Sequence, residues 1–578
     1  MRNEEIAAAM DELATLYELD GAIRYRVLAY REAARVIRSS PVSVAELARE
    51  GRATELAGIG KTLQDKILAL LDQGEIPSAT KLKAKFPASL VSVTRIPGLG
   101  ARTARRLYDE LGVSTLEELR AAAEEQRIRG IKGLGPKVEE NVLAALDRLG
   151  DEGAKGRLLL SRVLPAAEEL AASLREHPAS DAVEIAGSAR RRAETCKDID
   201  LIATATAPEA LAVAFTEHPL AGHAGSAGPA GARIVTHDGV SVDLRIVEPE
   251  AYGNLLQHFT GSAEHNIDLR ERAVKLGLSV SEHGIADAES GKVERFATEA
   301  EVYARIGLAY IEPELREGNG KVAAAANGEL PELVVLDDLR GDLHCHTTLS
   351  DGRNSLAEMA EAARARGYSY LAVTEHSASH GFGNHVTDDQ LRERIEEVAE
   401  LNESLRGKRF RVLAGSEVNI ATDGSLDYPD ELLAQLDWVI ASVHTSFRVS
   451  GERMTERVIT AIEHPLVDCI GHLTGRLIGR REPYDVDVEE VAEAAARTGT
   501  MLEINGNPNR RDLSERHARL AAETGAMICV NTDAHGTDTL SNIQYGIATA
   551  RRAWLTADQV ANTRPWREFS KLRKRARR

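Results

Sequence analysis

Cysteine and aromatic residues are scarce in this chain of 578 residues: there are four cysteines, and Phe, Trp and Tyr together make up 4%. Cys196, Cys345, Cys469 and Cys529 form no Cys-x-x-Cys pair. That excludes a disulfide framework and fits a reducing compartment. Each lies within a few residues of a candidate functional group, but small buried filler is the plainer reading of all four. No run of roughly 18 apolar residues occurs, so no membrane-spanning helix and no membrane partner is expected. Met1-Arg-Asn-Glu-Glu has no signal-peptide core, and the expected location is the cytoplasm. Basic charge is also short, with 72 Lys and Arg against 90 Asp and Glu and a net charge of −18. Taken alone, that surplus argues against a nucleic-acid partner. The argument is weak, because a metal-binding domain must carry excess carboxylate and backbone amides can grip phosphate without bulk positive charge. The one concentrated basic run, Lys571-Leu-Arg-Lys-Arg-Ala-Arg-Arg578, reads as a solvated tail, with a DNA contact as the alternative.

The C-terminal part repeats one pattern, a short apolar run that ends in metal-binding residues. Leu343 leads into His344-Cys-His346, Tyr370-Leu-Ala-Val-Thr into Glu375-His376, and Phe410-Arg-Val-Leu-Ala to Glu417. Trp438-Val-Ile-Ala-Ser-Val leads to His444, Val467-Asp-Cys-Ile-Gly to His472, Met501-Leu-Glu-Ile to Asn505, and Met527-Ile-Cys-Val-Asn-Thr to Asp533-Ala-His535. Helix-like stretches separate most of them, and a repeated strand–helix unit builds a parallel sheet or barrel. Functional groups in such barrels collect at the C-terminal strand ends, so these residues are expected to converge. Imidazole plus carboxylate suits zinc, manganese or iron with positions open to water. The ligands are too many for one ion, and two or three ions could clamp both oxygens of a phosphoester under hydrolysis.

Residues 1–150 read as almost entirely helical, with Ala, Leu, Glu and Arg at helical spacing. Gly58-Ile-Gly60, Gly98-Leu-Gly100 and Gly133-Leu-Gly135 punctuate them, each opening a helix. Glycine permits the tight turn and the close approach of a phosphate to the helix N-terminus. Three such units in succession, none with a dinucleotide-type strand pattern, resemble helix-hairpin-helix modules, which hold the DNA backbone without reading sequence. Farther on, Val183-Glu-Ile-Ala, Ile199-Asp-Leu-Ile-Ala and Gly239–Val247 alternate as strands. Asp198 and Asp200 alternate, so both face one side, and Asp243 on another strand can complete a site for two Mg²⁺ ions. Gly187-Ser188 starts a turn that can cradle a triphosphate, and Arg191 can neutralise it. Carboxylates, two metals and a phosphate cradle are what in-line nucleotidyl transfer needs.

Several families are resembled. About residues 339–575 resemble the PHP (polymerase and histidinol phosphatase) family, a distorted seven-stranded barrel with a trinuclear metal site. His344 and His346 match its Asp-Leu-His-x-His opening and Asp351 its Ser-Asp-Gly. His376, Glu417, His444, His472, Asp533 and His535 match its other ligands, while Glu375 stands where the family usually has Asp. Residues 1–317 resemble family X DNA polymerases, the family of DNA polymerase beta. There His258-Phe259-Thr260-Gly261-Ser262 is similar to Tyr-Phe-Thr-Gly-Ser, which shapes the sugar pocket. Asn266 matches a residue at the incoming base or primer, Arg270 one that supports the template, and Ser188 and Arg191 triphosphate ligands. Two departures are His258 for Tyr, and Ser241 where polymerase beta has an Arg beside the third Asp, so that an interaction with Asp243 is expected to be missing. Tyr30-Arg31 and Gly58-Ile-Gly-Lys-Thr-Leu-Gln-Asp-Lys66 resemble the lyase domain, with Lys66 at the Schiff-base lysine, although an exposed helix-surface Lys is the competing reading.

The order resembles bacterial and archaeal family X polymerases with a C-terminal PHP domain. The implied fold is multidomain: an all-α helix-hairpin-helix N-terminal region, an α+β nucleotidyltransferase palm and thumb, and a C-terminal seven-stranded (β/α) PHP barrel. The expected divisions are a lyase-like helical domain at 1–85, helix-hairpin-helix fingers at 86–150 and the palm at 151–250. A nucleotide-selecting thumb at 251–317, a linker at 318–338 and the PHP domain at 339–578 follow. The resemblance implies a monomeric polymerase that fills gaps in DNA repair on gapped or primer–template DNA with deoxynucleoside triphosphates. It implies Mg²⁺ or Mn²⁺ at the polymerase site and two or three Mn²⁺, Zn²⁺ or Fe ions in the barrel. The barrel would be a Mn²⁺-dependent 3′→5′ exonuclease, with abasic-site cutting and 3′-phosphate removal as related activities. Two rivals are a small-molecule phosphatase with a vestigial polymerase and a non-catalytic DNA-end scaffold. The intact Asp198, Asp200 and Asp243 argue against the first, and the full barrel ligand set against the second.

Overall fold

The computed structural model describes the chain except residues 2, 39, 41–42, 57, 88, 95, 97–98, 141, 144–155, 319, 378–385 and 578. It forms two compact units. One comprises Met1–Leu158, Arg162–Ala189 and Thr195–Leu256, the other Leu159–Ser161, Arg190–Glu194 and Gln257–Arg578.

The first unit opens with helices and, among the described residues up to 143, no strand. Helix Asn3–Leu19 shows why. Ile6, Met10, Leu13, Ala14 and Leu16 recur at helical spacing and are fully buried. They join Ile67, Leu107, Leu119 and Val142 in one hydrophobic cluster. The division expected at 85 is therefore not a break in the core. The rest of the unit is built around a five-stranded sheet, with helix Pro208–Thr216 among the helices beside it in the chain. Its strands are β1 Ser180–Ile185, β2 Ile199–Ala205, β3 Ala221–Ala224, β4 Gly231–Thr236 and β5 Ser241–Ile246, in spatial order β1-β2-β5-β4-β3. The strand pattern expected from alternation is present at all three predicted positions. β2 and β5 run parallel with Asp200 opposite Asp243, and β5 pairs antiparallel with β4, which puts Arg233 opposite Asp243.

The second unit contains an antiparallel meander, β6 Leu278–Ser281, β7 Gly284–Asp287 and β8 Val293–Glu294, packed with helix Ala263–Lys275. Its interior holds a fully buried Arg316, whose guanidinium binds Glu299 and stacks near Tyr303 and Tyr310 at 5.2 and 5.3 Å. Glu299 also accepts Arg190 at 2.7 Å. Burial would raise the Glu299 pKa, but the two guanidiniums hold it down at about 2. The segment 318–338, expected as a linker, is not a spacer. It contains helix Lys321–Asn327, Val322 and Ala325 join the meander's core, and Val334 is buried in the next one.

That next core belongs to a barrel of seven strands: β9 Gly341–Asp342, β10 Tyr370–His376, β11 Arg411–Asn419, β12 Trp438–Ser442, β13 Cys469–Ile470, β14 Met501–Asn505 and β15 Ile528–Asn531. They are parallel and paired in chain order. A bridge between Cys345 and Ala534 nearly closes the ring. The described helices between strands cover the outside, which is why both faces of each strand are apolar. At the N-terminal end the lumen is filled by Tyr370, Leu413, Trp438, Cys469, Met501 and Cys529, with Phe569 stacked on Tyr370 at 4.9 Å. These thiols are packing groups, as expected.

The basic C-terminus is neither a solvated tail nor, in its described part, a free cationic patch. Lys574 is buried, its Nζ donates to the His464 carbonyl at 3.0 Å, and Arg573 donates to the Asp437 carbonyl at 2.8 Å. The buried Asp468 carboxylate accepts the Lys574 and Val439 amides at 2.9 and 3.1 Å and Arg575 at 3.1 Å. Charge counting along the sequence could not anticipate these acceptors, because most are backbone carbonyls. Asp468→Ala strands those donors and should cost about 3 kcal/mol. Denaturant unfolding of the barrel measures it, and an unchanged midpoint would contradict the docking.

Candidate catalytic sites

Alternation along each barrel strand points the expected ligands to one end of the lumen. His344 and His346 flank Cys345, which packs into the core between the strands and the outer helices, just after β9, and His376 ends β10. Glu417 lies on β11, and His444, His472, Asp533 and His535 follow β12, β13 and β15. Asp351 comes from the loop after β9. Three groups form with ligand atoms within 4.8 Å of one another: His346, Asp351, His376 and His535; His344, His346, Glu417 and Asp533; and His376, Glu417 and His444. His472 joins through its Nε2, 2.8 Å from Glu417 Oε1. Every expected barrel ligand is therefore in the cluster. His472 and Asp533 have φ of 27° and 53°, left-handed backbone that a non-glycine residue adopts at a cost.

Glu417 sits at the centre, fully buried. Oε2 lies 3.3 Å from His344 Nε2, 3.6 Å from His346 Nε2 and 3.0 Å from His376 Nδ1, while Oε1 lies 3.2 Å from His444 Nε2. Ligand atoms that share an ion at roughly 2.0–2.2 Å lie about 3.0–3.6 Å from each other, so the spacing fits metal coordination. Buried His344 Nε2 and Glu417 Oε2 make no hydrogen bond, although they face each other. The donors are nitrogen and oxygen throughout, as expected for zinc, manganese or iron.

Electrostatics agree. Burial would lower the His344 pKa, but Glu503, Glu417 and Asp533 hold it well above the ordinary value. His376 is likewise raised to about 10, with Glu417 and Asp351 overcoming burial. Burial and neighbouring imidazoles push His346 down to about 3. Glu417 and Asp533 are held well below the carboxylate range, because His344 and the other imidazoles outweigh burial. His344 and His376 must shed protons to take an ion. Ion affinity of the barrel should therefore rise at least about tenfold between roughly pH 6 and pH 8. Equilibrium Mn²⁺ binding at the two pH values checks this, and a flat affinity would contradict it.

Sequence reasoning missed the residues that aim these ligands. Glu503, buried on β14, accepts His344 Nδ1 at 2.7 Å, the His472 amide at 2.9 Å, and Asn505 and Asn531 side chains at 3.1 and 3.0 Å. Its signal was a charge inside an apolar strand. Such partners fix ring orientation and tautomer. Glu375 is not within the ligand groups. It accepts Ser350 Oγ at 2.6 Å and the Thr347 amide at 3.2 Å, pairs with buried Arg394 at 3.3 Å, and so holds the loop that carries Asp351. Glu503→Gln should weaken barrel metal binding about 10- to 100-fold while the fold persists. Metal titration is the measurement, and wild-type affinity would show that Glu503 does not support His344.

The second candidate site lies in the five-stranded sheet. The β2–β5 register places Asp200 beside Asp243, and Asp198 immediately precedes β2. Gly187 has φ of 62°, and a Cβ there would fall on Asp200 Oδ2, so the turn admits only glycine. Ser188 lies in the helical turn Gly187–Arg190. The interaction expected to be missing at Asp243 is present from elsewhere. Arg233 on β4 holds both Asp243 oxygens at 2.7 and 2.8 Å. Hydrogen bonding and charge from Asp243, with added charge from Asp198 and Asp200, raise the Arg233 pKa. All three carboxylates thus act on one guanidinium. Arg233 and a divalent ion compete for Asp243. Arg233→Ala should tighten Mn²⁺ binding several-fold in a chain that also carries His344→Ala and Asp533→Ala, as read by Mn²⁺ paramagnetic resonance. Unchanged binding would contradict the competition.

The other expected residues fall as follows. Arg191 is engaged by Glu317 at 3.1 Å and by the Thr260 carbonyl at 2.5 Å, so it is not a free phosphate ligand in this state. His258 packs edge-on to Phe259 at 5.4 Å, and its Nδ1 lies 3.8 Å from Glu282. Asn266 is bound to the His258 carbonyl and to Gln257, both at 2.9 Å. Gly261 has φ of 66°, and Arg270 is exposed. Lys66 is half-buried, with Nζ 2.8 Å from Ser78 Oγ and 6.0 Å from the Tyr30 ring centre. Gly60 and Gly100 start helices Lys61–Gln73 and Ala101–Leu111, and Gly135 precedes the helix at 136–140. Gly58 and Gly133 have φ of 83° and 87°. A Cβ at Gly60, Gly100, Gly133 or Gly135 would meet open space, so close packing within the chain does not explain these glycines. Gly98 lies outside the described residues.

Comparison with known proteins agrees with this layout. A helix-hairpin-helix domain model matches residues 1–76, a SAM-like helix-hairpin-helix tandem 51–112 and 90–148, a DNA polymerase beta thumb 255–317, and a PHP domain 342–507. The DNA polymerase/3'-5' exonuclease PolX of Bacillus subtilis is 36% identical over 577 residues, 100% of both chains. A probable phosphatase of Thermoanaerobacter sp. is 35% identical over 241 residues, 38% of this chain and 89% of the phosphatase. One of Acetivibrio thermocellus is 30% identical over 210 residues, 34% of this chain and 78% of the phosphatase. A polymerase thumb, helix-hairpin-helix units and a PHP barrel in one chain define a two-activity DNA polymerase architecture. The chain belongs to the family X DNA polymerases with a C-terminal PHP domain. Among the described residues no helix is long and apolar enough to cross a membrane.

Proposed function

We propose that the chain is a DNA-directed DNA polymerase that fills short gaps in DNA repair, with a 3′→5′ exonuclease in its barrel. The observation that supports the first activity best is the Asp200–Asp243 register beside the Gly187 turn. Likeness over the full chain to a named polymerase/exonuclease supports the pairing of the two. Likeness to the probable phosphatases covers 38% or less of the chain, so it bears on the barrel and not on the whole.

In the polymerase site Asp198, Asp200 and Asp243 would hold Mg²⁺ or Mn²⁺, which neutralises triphosphate charge and activates the primer 3′ oxygen when bound. The Gly187–Ser188 turn would orient the triphosphate through its amides and hydroxyl, and Arg191 would add charge after leaving Glu317. His258, Phe259 and Gly261 would border the sugar, Asn266 the base edge, and Arg270 the template side. The glycine turns at 58–60, 98–100 and 133–135 would take the DNA backbone, consistent with binding that needs no excess of basic side chains. Lys66 would serve abasic-site lyase chemistry as a nucleophile. In the barrel His344, His346, Asp351, His376, Glu417, His444, His472, Asp533 and His535 would hold two or three Mn²⁺, Zn²⁺ or Fe ions. When bound, such ions would activate water for attack on a phosphoester near neutral pH. The enzyme would act as a monomer in the cytoplasm, with abasic-site cleavage and 3′-phosphate removal as further barrel activities.

The two activities should separate. Asp198→Ala should lower nucleotide incorporation by several orders of magnitude and leave 3′ degradation intact. Asp533→Ala should do the reverse, with loss of bound metal. Primer extension and 3′ degradation of a labelled strand, with and without Mn²⁺, measure both. Loss of both activities in a folded Asp198→Ala protein would overturn the two-site reading.

A further inference from the structure

Arg191 follows the short helical turn Gly187–Arg190, and its side chain is 14% exposed. Nη1 donates to the Thr260 carbonyl at 2.5 Å, and a Cβ on Gly261 would lie 3.2 Å from it. The guanidinium is therefore laid against residues that border the sugar in the proposed polymerase site. Its Nε lies 3.1 Å from Glu317 Oε1. The same Glu317 oxygen accepts Arg552 Nη1 at 3.0 Å, and that Nη1 also donates to the Arg191 carbonyl at 2.9 Å. One barrel guanidinium thus holds both the backbone of Arg191 and the carboxylate that engages its side chain.

Arg552 is fixed from its other side. It ends helix Ile543–Arg552, and its side chain is 7% exposed. Glu515, at the start of helix Glu515–Glu523, holds both its Nε and its Nη2, the latter at 2.8 Å. These helices lie on either side of β15 in the chain. Glu317 does not depend on Arg191 alone for its charge balance. Burial would raise its pKa, but Arg191 and Arg552 together hold it down. Lys321 is buried close to the same groups; burial and Arg552 lower its pKa to about 8, against the pull of Glu317 and Glu515. Without Arg191, Glu317 still has Arg552 and the Lys321 charge. It is then not an unpaired buried carboxylate, which would be strongly unfavourable. Arg191 can therefore exchange one anion for another: Glu317, with a single charge, for a triphosphate, with several.

We propose that Glu317 is an autoinhibitory latch on the polymerase site, competing with the triphosphate of an incoming nucleotide for Arg191, and that the barrel anchors this latch through Arg552. The proposal rests on the reading of Arg191 as a triphosphate ligand. Nucleotide binding then includes one exchange, in which the guanidinium leaves Glu317 Oε1 for a phosphate oxygen. No covalent bond changes and no proton moves, because the guanidinium stays protonated. Nucleotide binds the fraction of chains whose Arg191 is released, so the latch weakens apparent affinity by that fraction.

The test uses the full chain with Mg²⁺ on gapped DNA. The variants are Glu317→Gln, Glu317→Asp, Arg191→Ala and the double variant Arg191→Ala/Glu317→Gln, each shown to be folded by circular dichroism. Equilibrium nucleotide binding is read on a dideoxy-terminated primer, and kcat and KM on an extendable one. Inhibition by inorganic tripolyphosphate reads the phosphate contact alone. Glu317→Gln should tighten nucleotide binding and tripolyphosphate inhibition about 3- to 10-fold, with kcat within about twofold of wild type. Glu317→Asp keeps the charge on a shorter stem and should fall between the two. Arg191→Ala should weaken nucleotide binding at least about tenfold, and adding Glu317→Gln to it should change nothing further. Unchanged binding in both Glu317 variants would overturn the latch. Weaker binding would overturn it too, making Glu317 a support that presents Arg191. A gain from Glu317→Gln that persists in the Arg191→Ala background would also overturn it, as a general effect of lost negative charge. If Arg191→Ala binds nucleotide as wild type does, the reading of Arg191 as a triphosphate ligand fails first and the proposal with it.

Discussion

The barrel depends on one buried carboxylate. Glu417 is fully buried and faces His344, His346, His376, His444 and His472, supplied by different strand ends. An ionised carboxylate in that position is stable only against cations, so ions, or protons on the imidazoles in their absence, are needed to hold the strand ends together. The surrounding hydrogen bonds serve that arrangement. Glu503 aims His344, Glu375 and Arg394 hold the loop to Asp351, and Asn505 steadies Asp533. The opposite end of the lumen is filled with Trp438, Phe569 and the thiols of Cys469 and Cys529, which keeps chemistry at one end and packing at the other.

The five-stranded sheet solves a similar problem differently. Its carboxylates gather by strand register, Asp200 against Asp243, but at a partly exposed face. There the counter-charge is Arg233, whose side chain is 66% exposed and readily displaced. A buried cluster with fixed ligands suits resident ions. An exposed cluster with a removable guanidinium suits ions that arrive with substrate.

Much of this was legible in the sequence because strand alternation and strand-end placement are local properties. His344-Cys-His346 had to point two imidazoles the same way, and Asp198-Ile-Asp200 two carboxylates. What was not legible depends on register or long-range packing. Arg233 reaches Asp243 only because β4 pairs with β5 in one register, which no spacing along the chain reveals. Arg191 looked free for phosphate, yet Glu317 lies far along the chain. The basic terminus looked solvated because its acceptors are mostly backbone carbonyls around Asp468. Residues 318–338 looked like a linker because small Ala residues suit both a spacer and a tightly packed helix. Glu503 sat in view in Met501-Leu-Glu-Ile-Asn505, but its burial against His344 comes from barrel closure.

The central claim is that Glu417 organises a multi-ion centre from separate strand ends. Anomalous diffraction at the manganese edge, from crystals of the full chain grown with Mn²⁺, tests it most directly. The account predicts at least two ions, both Glu417 oxygens in contact with them, and His344, His376 and His444 among their ligands. A single ion that leaves Glu417 unbound, or ions gathered elsewhere on the chain, would contradict it.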